Sequence, residues 1–71
     1  MTNNLKHTNN DPLHNTDSAA IYTGEDPRTM ANKRSRGEGP NYLKIGRLVR
    51  YRQSALDKYL DECEVKLGVA A

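Results

Sequence analysis

From Leu43 to Arg52, in "LKIGRLVRYR", apolar and cationic residues alternate on both sides of Gly46. A period of two predicts a pair of short strands joined by a turn. From about Gln53 the period lengthens: Leu56, Tyr59, Leu60 and Cys63 fall at i, i+3, i+4 and i+7, with Asp57, Lys58, Asp61 and Glu62 opposite them. That spacing predicts an amphipathic helix that closes a core. The helix is expected to reach Leu67, with Gly68 as its stop, and Lys58 and Glu62 are spaced for a surface pair.

The register of the hairpin follows from the same pattern. A two-residue turn at Gly46 and Arg47 places Leu43, Ile45, Leu48 and Arg50 on one face, an arginine among three core candidates. A three-residue loop, Gly46 to Leu48, avoids this. Ile45 then faces Val49 and Leu43 faces Tyr51, while Tyr42, Lys44, Arg50 and Arg52 form a cationic face with Arg47 at the tip. Leu56, Leu60, Ile45, Val49 and Tyr51 are the expected core.

Upstream, "MTNNLKHTNNDP" is asparagine-rich, poor in apolar residues and closed by Asp-Pro, which predicts a disordered arm over residues 1–12. A short helix follows. Asn15 is its cap, Asp17 and Ser18 lie in its first turn, Ala19, Ala20 and Tyr22 form a small apolar face, and Gly24 ends it, with Leu13 placed to staple its start. Asp26 caps a second helix that has Pro27 at its first position and runs to about Arg36, where "GEGP" terminates it. Met30 is its clear apolar anchor, and Arg28, Thr29, Asn32, Lys33 and Arg36 give it an otherwise polar surface. The elements sum to a small α+β domain over residues 13–64, with a frayed tail over 65–71. Two helices joined by a short glycine-containing turn outline a helix-turn-helix.

Composition narrows the chemistry. The chain carries 71 residues and a net charge of +2, but residues 27–52 hold eight cations against the single anion Glu38. A segment of +7 beside a remainder of −5 reads as a footprint for a polyanion. One cysteine, Cys63, allows no internal disulfide, and His7 and His14 have no metal-ligand neighbours at the required spacing. No nucleophile with a base, no paired carboxylates and no phosphate-cradling loop can be assembled, so neither catalysis nor a cofactor or metal is expected. No secretory leader and no membrane span is visible, so a soluble intracellular protein is the default expectation.

Asp17 to Leu60, and above all "AA.Y.G...PRT", "GEGP" and "Y.KIGR.VRYR...LD.YL", resembles the small winged helix-turn-helix domains of phage and mobile-element excisionases and AlpA-like regulators, and more distantly the DNA-binding part of MerR regulators. Three positions depart from that pattern: Thr23 and Glu25 flank the turn glycine where apolar residues are usual, and Lys33 stands where tryptophan is common. They predict a loosely packed first helix and turn. The resemblance implies that the second helix enters a major groove and that the hairpin is a wing that lies along the phosphate backbone or in the adjacent minor groove. Arg28, Thr29, Asn32 and Lys33 are then candidate groove contacts, and Arg36, Lys44, Arg47, Arg50 and Arg52 candidate phosphate contacts. Arg34 is expected to pack or form an ion pair, and Arg52 also sits where the last helix needs a cap, with a charge unfavourable to the helix dipole.

The function this implies is that of an excisionase, a recombination directionality factor that binds and bends double-stranded DNA, with an integrase or recombinase and cooperative self-association on DNA as further partners. Transcriptional regulation of the AlpA-like kind uses the same surface. A protein-interaction adaptor or antirepressor built on a degenerate winged helix is the alternative of another class, favoured by Glu25, Lys33 and Leu48.

Overall fold

The computed structural model describes residues 11–68 of the chain. The expected arm lies outside them for residues 1–10, as does the tail for residues 69–71. The described residues form a small α+β unit in the order β1 (Leu13–His14), α1 (Thr16–Thr23), α2 (Pro27–Ser35), β2 (Leu43–Ile45), β3 (Leu48–Arg52) and α3 (Gln53–Cys63). The three strands make one antiparallel sheet in the order β1-β3-β2.

Helices this short are marginal alone, so their ends carry much of the local specification. In α1, the Asn15 side chain accepts a bond from the Ser18 amide at 2.8 Å, and Gly24 closes the helix in the left-handed conformation. In α2, Asp26 accepts from the Arg28 amide at 2.7 Å, and Pro27 fills the first position, where its missing N–H costs nothing.

Helix α3 is capped from a distance. Its own cap residue, Arg52, makes no side-chain capping bond. The Asp11 carboxylate instead accepts from the Ser54 amide and the Ser54 hydroxyl, both at 2.8 Å, and the Pro12 carbonyl accepts from the Gln53 amide at 2.8 Å. Asp11 and Pro12, assigned to the arm by composition, are thus bound to the start of α3. Leu13 does not staple α1: it pairs with Arg52 as the first residue of β1, a strand too short to announce itself by periodicity, and it is 40% exposed.

The core is small. Ala19 and Ala20 of α1, Met30 of α2, Tyr51 of β3 and Leu56 of α3 are buried, and Val49 packs against them. The alanines let α1 lie close to its neighbours, and Tyr51, Met30 and Leu56 are the largest of the buried side chains. Leu60 and Tyr59 are half-buried, and Cys63 is exposed.

The hairpin adopts the two-residue turn, not the three-residue loop. Leu43 pairs with Arg50, Lys44 with Val49 and Ile45 with Leu48, leaving Gly46 and Arg47 as the turn. Gly46 has φ 62° and Arg47 has negative φ, the pattern of a II′ turn, whose twist suits antiparallel strands. The expected conflict does not arise, because Leu43, Ile45, Leu48 and Arg50 lie on the face turned away from the core. Ile45 and Leu48 are 50% and 52% exposed, so Ile45 is no core residue. Val49 and Tyr51 are the inward pair. The new register also divides the cations: Lys44 shares the face of Val49, opposite Arg50 and Arg52.

Helix α3 ends at Cys63, four residues short of Leu67. Val65 and Leu67 are 78% and 89% exposed, so there is no surface to reward further turns. Glu62 and Glu64 also place negative charge at a helix C-terminus, where the dipole disfavours it. No Lys58–Glu62 ion pair forms among the described residues.

Candidate nucleic-acid interface

Helix α2 divides cleanly around its circumference. Arg28, Thr29 and Asn32 are exposed, while Met30 is buried in the core. Arg36, just past the helix, is also exposed and reaches Glu38 at 3.2 Å, a surface pair of the kind that contributes little to stability. Arg34 points inward: it donates to the Tyr51 hydroxyl at 2.8 Å and to Thr16 Oγ1 at 3.4 Å, and lies 5.7 Å from the Tyr42 ring centroid. It is a packing residue, as its position in the sequence suggested, and it gives the buried Tyr51 hydroxyl a partner.

Lys33 is held inside the fold. Its ammonium donates to Glu25 Oε2 at 2.9 Å and to the Tyr59 hydroxyl at 2.8 Å, and Tyr59 in turn donates to the same Glu25 oxygen at 2.7 Å. This closed triangle joins the α1–α2 turn, α2 and α3. The bonds to Tyr59 and Glu25 hold the Lys33 ammonium well above the usual lysine range. Burial pushes the Glu25 carboxyl up, but the bonds from Tyr59 and Lys33 outweigh it and hold it below the usual carboxylate range. Burial, with the Glu25 carboxylate beside it, pushes the Tyr59 hydroxyl up. Glu25 Oε1 is buried without a hydrogen-bond partner. As a groove contact Lys33 is therefore already committed elsewhere. Thr23, the third unusual position, donates to the Ala19 carbonyl at 3.0 Å and touches the Met30 sulfur. Polar bonds hold the turn and the first helix at the three positions where loose packing is expected.

Gly39 explains why "GEGP" leaves α2 as it does. It has φ 85°, a backbone conformation that side chains rarely adopt, and a Cβ there would crowd Lys33 Cβ at 3.3 Å, so glycine suits the close pass of the chain over α2.

On the hairpin, Arg47 occupies the exposed turn and Lys44 is exposed on β2. Arg50 is half-buried and donates to the Val49 carbonyl at 2.8 Å. A shallow depression of about 320 Å³ separates the hairpin from the start of α1, and Thr16, Arg34, Arg47 and Arg50 line it together with Asp17. Arg52 lies elsewhere, 3.7 Å from Asp11 and lining a second depression with Tyr42, Leu43 and Lys58. The nine candidate contacts are thus sorted: Arg28, Thr29 and Asn32 together on α2; Arg36 beyond its end, paired with Glu38; Arg47 and Arg50 at one depression; Lys44 on another face; Lys33 and Arg52 engaged with carboxylates more distant in sequence. Thr16 is the lining residue that the sequence reading did not single out, and its only signal was its place directly after the Asn15 cap.

A second polar cluster binds β1, α1 and α3. His14 Nδ1 lies 2.7 Å from Ser18 Oγ and His14 Nε2 lies 2.7 Å from Gln53 Oε1. Since Gln53 Oε1 accepts only, Nε2 donates to it, and in the neutral ring Nδ1 then accepts from the Ser18 hydroxyl. Tyr22 stacks near His14 at 5.8 Å and donates to Asp57, which pushes its hydroxyl pKa up. No group of three or more metal-ligating side chains occurs among the described residues, and none of their helices is long and apolar enough to cross a membrane. No protein-family model and no curated protein sequence matches the chain.

Proposed function

We propose that this chain is a sequence-specific DNA-binding protein whose helices α1 and α2 act as a helix-turn-helix and whose β2–β3 hairpin acts as a wing. Within that class, the reading that fits best is an excisionase, which binds and bends double-stranded DNA beside a recombinase. AlpA-like transcriptional regulation is the second reading of the same surface. The observation that carries the proposal is the divided circumference of α2. One side is fixed in the core by Met30 and tied down by Lys33 and Arg34, while Arg28, Thr29 and Asn32 stand exposed on the other. Arginine and asparagine form bidentate bonds to guanine and adenine edges, and the threonine hydroxyl adds a single donor or acceptor. Arg47 and Arg50 on the hairpin supply the sequence-independent attraction to phosphates.

The adaptor reading rests on a different observation: Ile45 and Leu48 expose apolar surface beside the hairpin turn. Glu25 and Lys33 no longer favour it, since they bond to each other. A mobility-shift titration on the DNA flanking the reading frame, against a scrambled duplex, tests the proposal. Preferential binding to the flanking DNA supports it. Absence of binding to any duplex at low salt overturns it and favours the adaptor.

A further inference from the structure

Among the cations of residues 27–52, Arg52 has a particular neighbour. The two Ser54 bonds that let Asp11 cap α3 also fix the direction of its carboxylate, and from there its second oxygen lies 3.7 Å from the Arg52 guanidinium. Asp11 comes from a segment held by backbone as well, through the Pro12 carbonyl on Gln53 and the pairing of Leu13 with Arg52 itself. This differs from the Arg36–Glu38 pair, where two exposed side chains two residues apart meet in solvent. Asp11 is placed by bonds that do not involve the Arg52 side chain, so its charge stays beside the guanidinium without further ordering cost.

We propose that Asp11 is a positioning residue for DNA binding: an internal counter-ion, locked by Ser54, that withholds Arg52 from phosphate and so sets the affinity of the hairpin. The inference rests on the DNA-binding reading given above. A phosphate approaching Arg52 competes with a carboxylate already in place, so Arg52 contributes to binding only when Asp11 yields. Whatever pulls Asp11 off Ser54 releases a cation for DNA. The Asp11 carboxyl is held below the usual range by the Ser54 amide first, against a burial cost, with the Ser54 hydroxyl and Arg52 adding to it.

The experiment compares the full chain with Asp11→Asn, Arg52→Ala and the double variant on a scrambled duplex, over a series of salt concentrations. Asparagine is a good cap, so Asp11→Asn keeps the Ser54 bond and the fold while removing the charge. Asp11→Asn is expected to bind several-fold more tightly at low salt and to steepen the slope of log affinity against log salt by about one unit, the signature of one more phosphate contact. In the Arg52→Ala background the same substitution is expected to change the slope not at all. Asp61→Asn, which removes an exposed charge near the far end of α3, controls for net charge and is expected to leave the slope unchanged. An equal steepening with and without Arg52, or no steepening from Asp11→Asn, overturns the proposal while leaving the DNA-binding reading intact. Failure of every variant to bind overturns both. The contact itself has a separate readout: a carbon-detected titration of the Asp11 carboxyl, whose pKa is expected to rise in Arg52→Ala, and a value that stays put overturns the pairing.

Discussion

Lys33 Nζ and Glu25 Oε2 stand 2.9 Å apart beneath the α1–α2 turn, with the Tyr59 hydroxyl bonded to both. A charged contact joins the turn to the helix here. Its energetics are asymmetric, because removing one partner strands the other, whereas replacing both with apolar groups of similar volume is close to neutral.

Lys33→Met is therefore expected to destabilise the domain by about 1–3 kcal/mol, since Glu25 already has one buried oxygen without a partner. Combining it with Glu25→Leu is expected to recover most of that loss. Thermal melts of the two single variants and the double variant measure the cycle. Lys33→Met is also expected to leave the salt dependence of DNA binding unchanged, whereas a lysine that contacts phosphate would flatten it by about one unit.

The same pair makes a statement about pH. The Glu25 pKa is depressed in the fold, so its contribution is present above the ordinary carboxylate pKa and is lost as pH falls through the lower folded value. The Lys33 pKa is raised, so its contribution is present below the ordinary lysine pKa and is lost only as pH rises through the higher folded value. The stability gap between the parent and Lys33→Met should hold across the neutral range and close below about pH 4. Melting temperatures of both proteins between acid and neutral pH check this, and a gap that closes near pH 7 would point to a histidine instead.

Leu56 is fully buried and Leu60 only partly. Leu56→Ala is expected to cost about 2–5 kcal/mol, enough to unfold a large fraction of so small a domain, and Leu60→Ala less. Chemical denaturation ranks them, and a reversed order would mean that α3 presents a different face.

The hairpin register makes Ile45 an outward residue and Gly46 a left-handed one. Ile45→Lys is expected to shift stability by no more than about 0.5 kcal/mol, while Gly46→Ala is expected to cost about 1–2 kcal/mol through backbone strain. In the alternative three-residue loop Ile45 is a core residue, and its replacement by lysine would unfold the protein.

On DNA, Asn32→Ala is expected to cost about 1–3 kcal/mol on the preferred site and little on scrambled sequence. Arg47→Ala is expected to weaken both alike and to flatten the salt slope by about one unit. Paired salt titrations separate reading from holding. If both variants lose affinity only on the preferred site, the hairpin also reads sequence.

Much of this fold was written locally. Asn15 with Gly24 and Asp26 with Pro27 mark the bounds of α1 and α2 because a cap needs only residues within one turn, and the 3.6 period of Leu56, Tyr59 and Leu60 marks α3 for the same reason. Gly46 announced a turn but not its length. Alternation assigns residues to two faces without saying which face meets the helices, and Arg50 beside three apolar residues looked like a core conflict only while that face was taken to point inward. Tertiary structure settled it, because Tyr51 and Val49 fill the space against Ala19, Ala20, Met30 and Leu56, leaving Ile45 and Leu48 outside. Likewise the sequence showed a polar Lys33 at a position expected to be apolar, and only the approach of Glu25 and Tyr59 from other elements turned that lysine inward. The cap of α3 lay furthest beyond the sequence, since Asp11 and Ser54 are 43 residues apart and no local pattern joins them. Short-range hydrogen bonding and periodicity determine elements; which faces meet, and which charges find each other, depends on packing that the whole chain decides at once.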